Sequence, residues 1–255
     1  MFYIISTVLL SSINLGVLGS VILWRRIVNI GDCLSHALIF SVLIEHSTGL
    51  NQTFGSLIVA ILFVSLVHFF SQKENEDNLN MIIFSSTLVA ISLLITDFTD
   101  SSFKIKNFVI GDALGAGQVD FIISFVVLVI LLTSIYFIFH KIVLVCLSEE
   151  VAHVKGISVP FIKFAINIFL AITIAISIQI IGVLLMTTLL IIPPSIARNI
   201  SSSPEQMVIF SVIASILSGA LSILLSLYFD ISFSPFFVIT LFTLYISSFC
   251  YKKLI

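Results

Sequence analysis

The chain has 255 residues, 59% of them hydrophobic and only 9% charged, with a mean hydropathy of +1.26. Soluble domains carry roughly 25% charged residues, so a soluble globular fold is excluded; a formal net charge of -2 says little about partners, and no nucleic acid is expected among them. At about 20 apolar residues per crossing, the sequence predicts an all-α polytopic membrane protein of eight or nine spans. It reads as a single transmembrane domain over 1–255, and no loop is long enough to hold an ATP site.

In chain order, the first span covers about Phe2 to Trp24 and ends in Trp24-Arg25-Arg26, an aromatic anchor followed by two cations. Met1 to Ile4 lack the cationic start of a secretory signal, so this segment is expected to be a span and not a leader. The second span starts near Ile30 and fades at Glu45-His46. A third covers about Phe54 to Phe70 and a fourth about Met81 to Thr96, with the polar stretch Ser71–Asn80 between them. After a polar connection over Asp97–Lys106 comes Asn107–Gln118, short and glycine-rich, with Gly111, Asp112, Gly115 and Gly117. Such a piece is expected to be broken or re-entrant, because irregular backbone at membrane depth is tolerated only inside protein or beside a cavity.

The fifth span is about Phe121 to Phe139, followed by a loop of both charge signs from His140 to about Pro160. Phe164–Ala197 is too long for one helix and is expected to fold back near Ile181-Gly182. There, Pro193-Pro194 removes two amide donors and should kink or end the second helix. The last spans are about Met207–Phe229 and Phe233–Tyr251, with a tight turn at Asp230. With the first residue outside, nine of the eleven cations (Arg25, Arg26, Lys73, Lys141, Lys155, Lys163, Arg198, Lys252 and Lys253) fall on inner segments. That bias supports nine crossings; eight stays open if one boundary is misplaced.

Few residues carry chemistry. Asp32 and His36 lie four apart, on one face of a helix, in a membrane segment where ionisable groups are candidates for function. Imidazole with carboxylate suits zinc and manganese, and two ligands leave zinc under-coordinated, as a site that must release its ion requires. The alternative is that Asp32 caps the helix while His36 bonds a neighbouring helix. Asp112 is a second path candidate, with capping again as the alternative. Asp120 is expected to be a cap, Glu45 and His46 to mark an interface, and His68 to pack. Cys33, Cys146 and Cys250 match neither a metal spacing nor a disulfide framework. Ser148–Ile157 can form a short helix closed by Gly156 that lies along the membrane or docks on a partner; a plain solvated loop is the alternative.

These segments together carry a likeness. Trp24-Arg25-Arg26 with Gly31-Asp32-Cys33-Leu34-Ser35-His36-Ala37, then Phe108-Val109-Ile110-Gly111-Asp112, then Glu150-x-Ala152-x-x-x-Gly156, and finally Gly182-Val183-Leu184-Leu185 through Leu190-Ile191-Ile192-Pro193 to Ala197-Arg198 are collinear. The chain resembles the membrane permease subunits of bacterial zinc- and manganese-uptake ABC transporters, the ABC-3 type, and among them the zinc permeases most. Pro194 stands where that family more often has Ala.

The resemblance implies a homodimer in the bacterial inner membrane, with cytoplasmic ATPase subunits and an extracytoplasmic metal-binding protein as partners. It implies Asp32, His36 and Asp112 as path residues, and Glu150, Ala152 and Gly156 as the ATPase-docking loop within about 141–162. The expected cargo is Zn²⁺, with Mn²⁺ or Fe²⁺ as alternatives. No cofactor is bound permanently and the chain itself is not an enzyme. Uptake should weaken as histidine becomes protonated, because an imidazolium does not bind metal. The rival classes are a proton-coupled secondary carrier and a membrane enzyme such as a lipid phosphotransferase.

Overall fold

A computed structural model describes residues 2–70, 76–99, 108–109, 111, 117–231 and 233–254. Among them, the long elements are all helices: α1 (Phe2–Arg25), α2 (Asn29–Ala37), α3 (Phe40–Thr48), α4 (Gln52–Phe70), α5 (Glu76–Thr99), α6 (Gln118–Leu147), α7 (Glu149–Val154), α8 (Val159–Ile181), α9 (Val183–Ile200), α10 (Pro204–Phe229) and α11 (Phe233–Leu254). Seven of these (α1, α4, α5, α6, α8, α10 and α11) are long and apolar enough to cross a membrane, and α9 contains a shorter apolar helix. Each of the nine stretches expected to span is therefore helical, and the chain is a multi-pass all-α membrane protein.

Several boundaries differ from expectation for identifiable reasons. The interruption of the second span falls at Leu38–Ile39, where the amides of Ile39, Ser41 and Val42 bond three residues back. This tighter, 3₁₀-like winding divides α2 from α3 without any glycine or proline to announce it. Most of the anticipated glycine-rich break lies outside the described residues, Asp112 included. The loop expected over 141–162 is largely helix: α6 continues to Leu147, α7 follows one residue later, and α8 begins at Val159. With 30 residues, α6 is about 45 Å long, longer than a hydrocarbon layer of about 30 Å.

The fold-back at Ile181-Gly182 is as expected, with Gly182 at φ 90°. Pro193 and Pro194 end nothing: α9 runs through both to Ile200. Two carbonyls one turn earlier lose their amide donors, and the helix tolerates this because α1 closes over that side. A methyl at Gly19 would overlap the Leu190 carbonyl oxygen, so only glycine lets the two backbones approach.

The chain divides into two compact units. The first comprises 1–26, 115–162 and 188–255. Here α1 packs on α6 and α10, and α10 packs on α11. Small residues make the contacts: Ser211 donates to the Gly16 carbonyl at 2.7 Å, Gly219 faces Ser12, and Ser222 and Thr240 share a 3.0 Å hydrogen bond. Hydrogen bonds between membrane helices contribute only about 0.6 kcal/mol each, so close packing along this stripe does most of the holding. Trp24, half-buried at the end of α1, packs against its neighbours. Its indole N–H meets Met207 Sδ at 3.1 Å and its ring meets Phe139 edge-on, tying α1 to α10 and α6.

The second unit comprises 27–114 and 163–187. Here α2 packs on α4 and α5, and α3 does the same. Gln179 of α8 accepts from Thr53 at 3.3 Å and donates to Ser56 at 3.2 Å, both on α4. His68 stacks against Phe164 with ring centroids 4.6 Å apart, which is its expected packing role.

Gly19→Leu should therefore lower stability by about 1–3 kcal/mol through overpacking. Gly117→Ala, whose methyl would meet, among the described residues, only the Asp120 carboxylate at 3.8 Å, should be close to neutral. Thermal unfolding of the two variants in detergent checks the contrast; equal midpoints would remove the close approach at Gly19 from the account.

Candidate metal-path site

The site begins with the start of α2. The helix opens at Asn29 with Val28 at the cap position and no side-chain cap bond. Asp32 is thus already inside the first turn and does not cap it. Its Oδ1 instead accepts from the Thr187 hydroxyl of α9 at 3.3 Å, a long contact for two oxygens that steers the carboxylate more than it binds it.

One turn later, His36 Nδ1 lies 2.8 Å from the Asp32 backbone carbonyl and 3.4 Å from Asp32 Oδ1. The carbonyl is the closer partner and can only accept, so Nδ1 carries the proton and Nε2 presents its lone pair. This is how a ligating histidine is held in one tautomer by its second nitrogen. The two side chains are half-exposed, 42% for His36 and 58% for Asp32, beside a helical turn rewound at Leu38–Ile39. The arrangement is one borderline and one hard donor on a shared helical face, both partly exposed.

No group of three or more His, Cys, Asp or Glu side chains that could hold a metal exists among the described residues. The pair supplies two donors, one short of such a group. Cys33 is buried beside it, and none of the three cysteines forms a disulfide. Asp112 lies outside the described residues. Its neighbour Gly111 has φ 84°, and a Cβ there would sit 2.5 Å from Gly182 N, so this segment meets the α8–α9 turn backbone to backbone. Asp120 is the cap it was expected to be: its Oδ2 accepts the Gly117 amide at 2.9 Å.

The second candidate region forms as a closed local unit. Ser148 accepts the Val151 amide at the start of α7, and Glu149 and Glu150 complement the helix N-terminus. At the other end, Ile157 N–H bonds the Ala152 carbonyl and Gly156 N–H bonds the His153 carbonyl, with Gly156 at φ 73°. That is a Schellman ending, which favours glycine at the left-handed position. Ala152 is fully buried, while Val151, Val154 and Leu147 are exposed, as is Glu150. The short helix thus turns its small residue inward and an apolar edge outward.

Sequence reasoning passed over Thr187 and Gln179. The available signal was polar side chains inside otherwise apolar helices, but only packing reveals that Thr187 faces Asp32 and that Gln179 faces α4.

A comparison with known families now bears on these features. The ABC 3 transport family matches residues 1–252. The chain belongs to that family. It is 32% identical over 234 residues to the high-affinity zinc uptake system membrane protein ZnuB of Buchnera aphidicola subsp. Acyrthosiphon pisum (strain APS), covering 90% of this chain and 89% of that one. It is 30% identical to the ZnuB of Haemophilus influenzae, covering 94% of each. In three dimensions it is similar to a chain of PsaBC from Streptococcus pneumoniae in complex with Fab, with a TM-score of 0.83, 21% identity, and coverage of 97% of this chain and 90% of that one. This last likeness concerns the fold.

The tautomer is directly testable. ¹⁵N NMR of the histidine-labelled protein at a pH where imidazole is neutral should show His36 protonated at Nδ1. A proton on Nε2 would contradict the hydrogen bond to the Asp32 carbonyl.

Proposed function

We propose that this chain is the membrane permease of an ATP-driven importer for a divalent transition metal, with Zn²⁺ as cargo. The observation that carries the reading is the Asp32–His36 pair, its Nε2 unengaged among the described residues, in a chain that aligns with zinc-uptake permeases over 90–94% of its length. Zinc usually takes four ligands, and each chain supplies two. Two copies facing one another across a path would complete the set, and separating them would dismantle it. Release then needs no chemical step, only a change in the distance between copies.

His36 would bind through Nε2, and Asp32 would neutralise part of the ion's charge. Thr187 would hold the carboxylate in register. Asp112 is proposed as a further path residue on the strength of the family likeness alone. The same donor pair also accommodates Mn²⁺ or Fe²⁺; the choice of zinc rests on the relatives.

ATP hydrolysis would occur on separate cytoplasmic subunits, docked at the loop of Glu150, Ala152 and Gly156 within the 141–162 segment of this single transmembrane domain, with exposed Glu150 at the contact, buried Ala152 seating α7 on this chain and Gly156 closing the helix. An extracytoplasmic binding protein would deliver the ion. The exposed edge of α7, which follows α6 after one residue, supports that docking role. The bacterial inner membrane is the setting this implies, and the permease itself catalyses no reaction.

Asp32→Ala and His36→Ala should each abolish growth under zinc limitation while the permease stays at normal membrane levels. Normal growth of both would remove the pair from the path. Thr187→Val should weaken uptake by about 10-fold, the scale seen when a ligand's supporting partner is lost, whereas Thr187→Ser should keep it. At the docking loop, Gly156→Pro both removes an amide donor and denies the left-handed conformation. The ATPase should then fail to co-purify, and unchanged co-purification would count against docking there. Zinc transport by the purified permease alone, driven by a proton gradient in liposomes, would favour the secondary-carrier reading instead.

A further inference from the structure

Within the first unit, the end of α9 and the end of α11 enclose a polar pocket of about 270 Å³ lined by Leu23, Ser195, Arg198, Asn199, Tyr245 and Lys252. It brings together two cations that are 54 residues apart in sequence (252 minus 198). Neither pairs with a carboxylate among the described residues, and no acidic side chain lines the pocket. Asn199 spends one amide N–H on Ser248 Oγ at 3.2 Å, leaving the second N–H available. Tyr245 adds a phenol. Ser195 already donates to the Ile191 carbonyl, so its oxygen contributes no donor. What remains is a set of donors and positive charge without a matching anion.

Beside it runs an apolar groove of about 330 Å³ lined by residues that include Ile200, Ile213, Leu217, Leu244 and Tyr251. Ser248 lines this groove as well, so the Asn199–Ser248 hydrogen bond is the wall between the two spaces. The groove residues Leu217, Ile213 and Tyr251 are about half-exposed and face hydrocarbon in a membrane. Helices α1, α9 and α11 all end here, at the side where the positive-inside bias puts the cytoplasm. That leaflet carries the anionic lipid.

We infer that this pocket binds the phosphate headgroup of an anionic phospholipid of the inner leaflet, with one acyl chain lying in the adjoining groove. A phosphate matches the fork of Arg198 and the point charge of Lys252, and the wall at Asn199–Ser248 sets headgroup and chain on opposite sides. A soluble phosphate would use only the polar half. The inference is independent of which metal the path carries, and of whether it carries one. A lipid held here braces the last turn of α9, the helix whose start bears Thr187.

The test uses the full-length permease extracted from membranes in mild detergent and analysed by native mass spectrometry. Wild type should retain phosphatidylglycerol in preference to phosphatidylethanolamine. Removing charge by Arg198→Gln or Lys252→Gln should weaken retention roughly 5-fold each, and about 30-fold together, from the usual strength of a cation near an anionic surface. The charge-preserving pair Arg198→Lys with Lys252→Arg should retain the lipid.

Equal retention of both lipids by wild type would overturn the site. So would displacement by millimolar inorganic phosphate, which would make it a free-phosphate pocket. A double Gln variant that melts earlier yet keeps its lipid would also overturn it, because the cations would then only complement their helix ends. Should the Gln variants fail to assemble, a photoreactive phosphatidylglycerol added to the native transporter decides. Labelling of 195–200 and 244–252 supports the site; labelling confined to other segments, or exclusion of label from this face by another chain, overturns it.

Discussion

The constraint that organises this protein is that hydrocarbon offers no hydrogen bonds. Every amide at membrane depth has to find its partner within the chain, so the default is uninterrupted helix and each departure needs local compensation. The described departures are few: the rewound turn at Leu38–Ile39, the glycine turn at Gly182 met by Gly111, and the two prolines inside α9. Each is compensated differently, by three-residue hydrogen bonds, by backbone-to-backbone approach, and by the bare surface of Gly19. The first two irregularities lie in the unit that also holds Asp32 and His36. Regular helix could not put a tautomer-locked imidazole immediately before a change of helical winding.

The same constraint explains why small residues dominate the helix contacts. With no hydrophobic drive between helices in lipid, association depends on how closely backbones approach. Ser211 against Gly16 and Gly219 against Ser12 provide that in the first unit, with Trp24 as the one large clasp. In the second unit, Gln179 works differently. An amide that would be costly in hydrocarbon is satisfied on both sides by α4, which fixes where α8 lies along it.

Much was legible beforehand, because hydropathy and charge asymmetry follow directly from the solvent. The nine apolar stretches, the fold-back at Gly182, the cap at Asp120, the packing of His68 and the Gly156-terminated helix all follow from local rules. Two readings did not transfer. The prolines at 193 and 194 have breaker chemistry, but α1 protects the helix that contains them. The 141–162 segment looked like a loop because charge interrupts its hydropathy, while α6 needs no lipid to stay helical once nucleated over a long apolar run.

What the sequence determined alone is the class of the molecule, its family and its side-by-side donor pair: spacing of four on a helix puts Asp32 and His36 together in any fold that keeps α2. The tertiary structure decided that Thr187 rather than a helix end engages Asp32, and that Arg198 and Lys252 share one pocket. Those facts depend on residues distant in sequence meeting in space. A periodic pattern carries the direction of a side chain, but not the identity of what it meets.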